Sequence, residues 1–426
     1  MAAPEVIQTQ GPEKAVSAVK RVLILGGGYA GLMAARRLAH HTHRQPVEIT
    51  LINGTSRFVE RIRLHQTAAA GKLRSFTVPQ MLGGARVRFV EGWVTAIDPE
   101  QQRVTVRLAG GPAGGTQYYD YDYMVYALGS IVDLSGVAGA AENAVSVAGY
   151  EQTLALKDRL MALSRAHGQV VIVGGGLTGI EIATETAERY PGLHVTLMTR
   201  GRFGAQFSPK GEAYVRGVFD RLKIEVIEHT DVRRIHPDRV EYLAEGAADE
   251  KSLASDLTIW AGAFGVPTLA RDSGLAVNAR GQVIVDAHLR SLSYPNIYAV
   301  GDSANPSDAI GMDVDMGCKT ALPMGGYAGD DLAARLAGRT WKPFDYGYII
   351  YCVSLGRHAG LIQLYQPEGE IKNQVITGWL GAKIKEMICQ STVWQVRHPR
   401  WMLYTSRPEA LRPALYQGES AASVAG

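Results

Sequence analysis

Val22-Leu23-Ile24-Leu25-Gly26-Gly27-Gly28-Tyr29-Ala30-Gly31 is a short apolar run that stops abruptly at glycine. Beyond it, Leu32 to Ala39 carries apolar and small residues at helical spacing, and Val47–Ile52 alternates like a strand that ends at Asn53-Gly54. The order is strand, glycine turn, helix, strand. It returns at Val170-Val171-Ile172-Val173-Gly174-Gly175-Gly176-Leu177-Thr178-Gly179, followed by a helical pattern from Ile180 to Arg189 and a strand from His194 to Met198. A whole βαβ unit is therefore repeated. In Gly-x-Gly-x-x-Gly the first glycine turns the chain out of the strand, the second admits a pyrophosphate, and the third lets helix and strand touch. The helix N-terminus adds free N–H groups and partial positive charge. Gly26, Gly28 and Gly31, with Tyr29 and Ala30, and Gly174, Gly176 and Gly179, with Thr178, are thus expected to cradle two dinucleotides.

Outside these units, Val87–Val94, Arg103–Leu108 and Tyr118–Leu128 have strand patterning, and the Gly/Pro-rich Ala109–Thr116 reads as a hairpin loop. Leu257–Ala263, which contains Gly262, and Asn296–Asp302 are further apolar strands that run into glycine. Ending the latter on Gly301-Asp302 places a carboxylate where ribityl hydroxyls or a pyrophosphate-bound water can donate to it. Past Phe344 the periodicity changes to mixed strands and one amphipathic helix.

The chain has 426 residues, enough for two or three packed domains. A net charge of +3 without a long basic run argues against nucleic acid as a partner. Residues 1–20 lack the apolar core of a secretory signal, and no apolar run is long enough to span a bilayer. Cys318, Cys352 and Cys389 are odd in number and far apart, which suits a reducing compartment. A cytoplasmic protein is expected, with peripheral contact at the inner face of a membrane left open.

GGGYAG at 26–31, Tyr126-Ala127-Leu128-Gly129-Ser130, Gly174–Glu181 and Tyr298–Ala304 together resemble the two-dinucleotide-binding flavoproteins of the pyridine nucleotide-disulfide oxidoreductase superfamily. Within it, the chain looks most like type II NADH dehydrogenases and apoptosis-inducing-factor-like reductases. The resemblance spans most of residues 20–340. It implies an α/β fold with two Rossmann-like domains: an FAD domain (20–148 and 266–343) holding an inserted NAD(P)H domain (149–265), then a small C-terminal α+β region (344–426). It also implies that Ala127, Leu128, Gly129 and Ser130, the stretch from Glu91 to Val94, and Gly301, Asp302, Thr320 and Ala321 lie along the FAD. Glu181 would stand near the nicotinamide and flavin rings, where it could orient the carboxamide.

The departures are informative. The carboxylate usually found at the end of the first unit's second strand is Asn53, an amide with one neutral acceptor and an added donor. In the second unit the carboxylate is replaced by Thr199, followed by Arg200 and Arg202. Losing the carboxylate removes repulsion of a 2′-phosphate, and a guanidinium can bind that phosphate with paired N–H bonds, so NADPH is expected over NADH. No cysteine pair follows the first unit at Phe58–Gln66, which excludes a dithiol relay there. In that segment Arg61, Arg63 and His65 face either the acceptor side of the flavin or solvent. The glutamines typical of respiratory enzymes are missing from Gly317–Gly325, where Lys319 could set a cation at the flavin N1–O2 edge. Cys318 reads as a small buried residue. In Leu380–Trp394, Leu380, Ile384, Met387, Ile388, Ser391 and Trp394 form a stripe expected to pack on the flavin domain or in a homodimer seam rather than against membrane.

The expected function is transfer of hydride from NAD(P)H to FAD and then to a quinone or another small conjugated acceptor. A dedicated biosynthetic flavoenzyme and a slow redox sensor are the alternatives.

Overall fold

The computed structural model describes residues 19–70, 74–110, 115–147, 149–366, 369–402 and 407. Strand β1 (Lys20–Leu25) leads through the first glycine turn into helix α1 (Tyr29–His41), and β2 (Val47–Asn53) returns parallel to β1 in the register Leu25 to Ile52. The helix starts three residues before the apolar periodicity does, because Gly28 caps it in an extended conformation. A short helix α2 (Leu64–Ala70) follows. Next, β3 (Arg88–Asp98) pairs parallel to β2 and antiparallel to β4 (Arg103–Leu108), which pairs with β5 (Thr116–Asp120). The hairpin loop expected between β4 and β5 falls partly on 111–114, outside the described residues, although Arg107 and Thr116 on either side are paired. The single strand expected over Tyr118–Leu128 is instead two. The chain turns at Tyr121-Asp122, and β6 (Tyr123–Tyr126) crosses to the far side of β1.

The second unit builds its own parallel sheet. β7 (Gln169–Val173), α3 (Leu177–Arg189), β8 (His194–Met198), β9 (Glu225–Ile227) and β10 (Leu257–Trp260) assemble with the strand Ala144–Ser146 at one edge. After their first residues β7 and β8 are buried throughout, as is all of β10, and apolar residues predominate in them, as in strands covered on both faces. The chain then rejoins the first sheet through β11 (Ile297–Ala299), which lies parallel to β6. Helix α4 (Cys318–Leu336) packs along α1, and Gly325 is what lets it: a Cβ there would lie 2.2 Å from the Ala30 carbonyl oxygen. Three antiparallel strands, Ile350–Ser354, Gly360–Tyr365 and Ile371–Thr377, and helix α5 (Gly378–Arg397) complete the described fold. Among the described residues no helix is long and apolar enough to cross a membrane.

The stripe expected on α5 to pack on the flavin domain or in a homodimer seam is divided: Ile384, Ile388 and Ser391 are half-buried, while its other members are uncovered in the single chain. Leu380, Met387 and Trp394 are about half or more exposed, as is Trp379 beside them. The buried face is Gly381, Cys389, Thr392 and Val396, with the aliphatic stem of Lys385 between them. Small residues won that face because α5 lies close on its neighbours: a Cβ at Gly381 would meet the Gly360 carbonyl oxygen at 2.4 Å.

Candidate functional site

The two glycine turns have the same backbone. Gly26 and Gly174 take φ of 107° and 125°, while Gly28 and Gly176 are extended caps of α1 and α3. A Cβ on Gly31 would lie 1.9 Å from the Gly26 carbonyl oxygen, and one on Gly179 would lie 1.8 Å from that of Gly174. At Gly28 and Gly176 an added Cβ meets nothing within 4 Å, so the middle glycine of each motif opens onto free space. That space is one continuous cleft of about 1670 Å³, larger than a single-ligand pocket of roughly 300–1000 Å³. Each helix N-terminus points unpaired N–H groups into it.

Gly26, Tyr29, Ala30, Asn53, Arg61 and Val94 line this cleft, as do Ala127, Gly129, Gly262, Gly301, Asp302 and Ala321. Gly31, Gly174 and Gly179 act from behind it through backbone packing. Thr199 and Arg200 lie outside it, at the end of β8, where Arg200 is largely exposed and 3.1 Å from Asp231. Arg202 pairs with Glu212 at 2.7 Å. Thr320 also stays outside: its hydroxyl donates to the Asp315 and Gly317 carbonyls at 2.8 and 2.9 Å and so fixes the start of α4. Its polar group is already used by the helix end.

Asp302 sits at the floor of the cleft. Its carboxylate accepts from Gly317 N at 2.8 Å and from Ser130 Oγ at 2.7 Å, while Arg61 donates to the Ser130 carbonyl at 2.7 Å. Ser130, which the resemblance sets along the FAD with its neighbours, thus links Arg61 to Asp302, a contact that no spacing in the sequence signals. Arg63 is turned away from open solvent. It makes a paired contact with Glu386 on α5 at 2.8 and 2.9 Å and reaches Glu60 at 3.3 Å. Lys319 lines the cleft, yet its ammonium is held by Asp315 at 2.7 Å and lies 4.4 and 4.6 Å from the centres of the Tyr348 and Tyr351 rings.

The densest electrostatics surround Glu181. Its Oε1 accepts from Ser354 N at 3.0 Å and lies 3.2 Å from Lys385 Nζ; its Oε2 lies 3.4 Å from His65 Nδ1. Burial alone would raise the Glu181 pKa, but the Lys385 ammonium, helped by the Ser354 N–H, holds it below the usual carboxylate value. Lys385 is pushed well up: burial opposes its charge, and Glu181 more than compensates. His65 goes the other way, down to about 4, because burial outweighs the attraction of Glu181. The trio is therefore anion, cation and neutral imidazole, and all three line the cleft. Among the described residues, the Nε2 of His65 and the indole N–H of Trp260 are buried there without a protein partner. Buried polar groups are normally satisfied, so these two mark where a polar ligand or water belongs. Burial pushes the Cys318 thiol up to about 11, which keeps it protonated.

Twin βαβ cradles that open onto one cleft define a two-dinucleotide flavoprotein, an oxidoreductase that joins a flavin to a pyridine nucleotide. More particularly, residues 20–323 match the pyridine nucleotide-disulphide oxidoreductase model, and the chain belongs to that family. It is 27% identical to the demethylphylloquinone reductase NdbB of Synechocystis, over 89% of this chain and 93% of that one. It is 24% identical to a type II NADH:quinone oxidoreductase of Staphylococcus aureus, over 88% and 96% of the two chains. The structure of NDH2 from Plasmodium falciparum in complex with NADH superposes with a TM-score of 0.74 at 14% identity, covering 92% of this chain and 99% of that one.

Proposed function

We propose that this protein is an NAD(P)H:quinone oxidoreductase that holds FAD in the first cradle and takes its electrons from NADPH bound in the second. The observation that carries this reading is the single cleft shared by both glycine turns, with Glu181 at the start of α3 between them. The first cradle suits a flavin dinucleotide: α1 offers its N-terminus to a pyrophosphate, and Arg61, Ser130 and Asp302 form a polar floor beyond it. When bound, FAD supplies hydride acceptance and release. The protein contributes position and charge. Glu181, anchored by Ser354 N and Lys385, presents a fixed carboxylate edge, and the neighbouring His65 Nε2 offers an acceptor for an amide or hydroxyl proton. Both glycine turns and the buried trio border the same cleft.

The full-length similarity to NdbB and to the staphylococcal enzyme supports a quinone as the acceptor. Thr199, Arg200 and Arg202 support NADPH. The Arg200–Asp231 contact is a solvent-exposed pair, weak enough for a phosphate to displace, and Arg202 is itself more than half exposed. The uncovered face of α5, with Trp379, Leu380, Met387 and Trp394, supports peripheral contact with a bilayer, the phase in which long-tailed quinones dissolve.

Steady-state kinetics with a soluble quinone test the reading. The expected result is a higher kcat/KM with NADPH than with NADH. Charged hydrogen bonds are worth about 1.5–3 kcal/mol, so Arg200→Ala should lower kcat/KM for NADPH roughly 10- to 150-fold and leave NADH little changed. Equal use of both donors would overturn the donor assignment. Rapid flavin bleaching without turnover on any quinone would overturn the acceptor and favour a sensor or a dedicated substrate.

A further inference from the structure

The adenosine end of a dinucleotide in a βαβ unit lies at the C-terminal end of the second strand, where a carboxylate ordinarily accepts from the ribose. Here that residue is Asn53, and its amide is already engaged. Oδ1 accepts from Gly27 N at 2.8 Å, and Nδ2 donates to the Thr55 carbonyl at 2.7 Å. The side chain braces the glycine turn and leaves the ribose without its usual charged anchor.

The neighbouring surface offers a different hold. Trp93, on β3, is 56% exposed, yet it lines the same cleft as Asn53 and Gly54. A Cβ built on Gly54 would lie 2.7, 2.8 and 2.8 Å from the Cε2, Cδ2 and Cζ2 atoms of Trp93. These atoms belong to the six-membered ring and are nearly equidistant, so the clash falls over the face of the ring and not on its rim. One face of the indole thus lies flat on the Gly54 backbone, which fixes the plane of the ring. Gly54 does not have the left-handed backbone that by itself favours glycine, so contact with the indole is the reason a side chain is refused.

We infer that Trp93 is the adenine-stacking residue of the first cradle, an aromatic platform that holds the adenosine end of the flavin dinucleotide where the carboxylate is missing. This rests on the reading that FAD occupies that cradle. Stacking on an aromatic face is indifferent to ribose contacts and needs only a flat partner with an open side. Its chemistry also discriminates: FAD carries an adenine and FMN does not.

The test is titration of deflavinated full-length protein with FAD and, separately, with FMN, each followed by flavin absorbance and fluorescence. Wild type should bind FAD more tightly than FMN. Trp93→Ala should weaken FAD by roughly five- to 150-fold, the range for loss of one base–aromatic stack, and leave FMN unchanged. Trp93→Phe should recover most of the difference. Gly54→Ala, which displaces the ring from beneath, should also lower FAD selectively. Equal losses for FAD and FMN, or unchanged FAD binding in Trp93→Ala, would overturn the stacking assignment while the flavin assignment stands. Wild-type protein that takes up neither flavin would overturn the flavin assignment itself, and the stacking with it.

Discussion

His65 should make this protein acid-sensitive, by an amount that can be worked out beforehand. The imidazole is 3% exposed, and burial holds its pKa near 4, against 6.5 for the free side chain. Its pKa is depressed on folding, so the unfolded chain binds the extra proton first as pH falls. The neutral form costs nothing above about pH 6.5. Between 6.5 and 4 the unfolded state is progressively favoured, and below 4 the loss is complete. The difference of about 2.5 units corresponds to about 3 kcal/mol at 1.36 kcal/mol per unit. The charged groups that face the ring are Glu181, Lys385, Arg357 and Arg63; the three cations reinforce burial and only Glu181 opposes it. His65→Asn keeps an N–H donor toward Glu181 and removes the titration. Thermal melts of both proteins at half-unit steps from pH 7 to pH 4 provide the assay. Wild type should lose more stability than the variant over this window, with most of the divergence between pH 6 and pH 4.5. Parallel curves would refute the claim that the imidazole is buried neutral beside the Glu181–Lys385 pair.

Two further outcomes follow from the same contacts. Lys385→Met leaves the Glu181 carboxylate buried without its cation, so it should destabilise the protein by about 3–5 kcal/mol at neutral pH, and adding Glu181→Gln should restore much of the loss, both read by chemical denaturation. Replacing Trp379, Leu380, Met387 and Trp394 with serine should abolish co-flotation with vesicles without lowering the melting temperature, because those side chains are exposed in the folded chain. A wild type that does not float but elutes as a dimer, with the variant monomeric, would assign the face to a second copy instead.

Sequence made the cradles legible because their function is local. Gly31 and Gly179 must be glycine for a contact made five residues earlier in the same turn, so spacing alone reveals them. The polar floor was half legible: Asp302 and Arg61 could each be picked out, but Ser130 joins them only because β6 lies between β1 and β11. Lys385 was missed for a different reason. In an amphipathic helix a lysine is ordinarily assigned to the wet face, and large apolar residues are taken to mark the dry one. On α5 the assignment is inverted, since Gly381, Cys389, Thr392 and Val396 recur with Lys385 at steps of three and four. A face made of small residues signals close approach, and a long side chain on it must reach past the helix to a partner. Glu181, on a helix some two hundred residues away in the chain, is that partner. No periodicity within α5 could have named it, because the reason for the lysine lies in the other cradle.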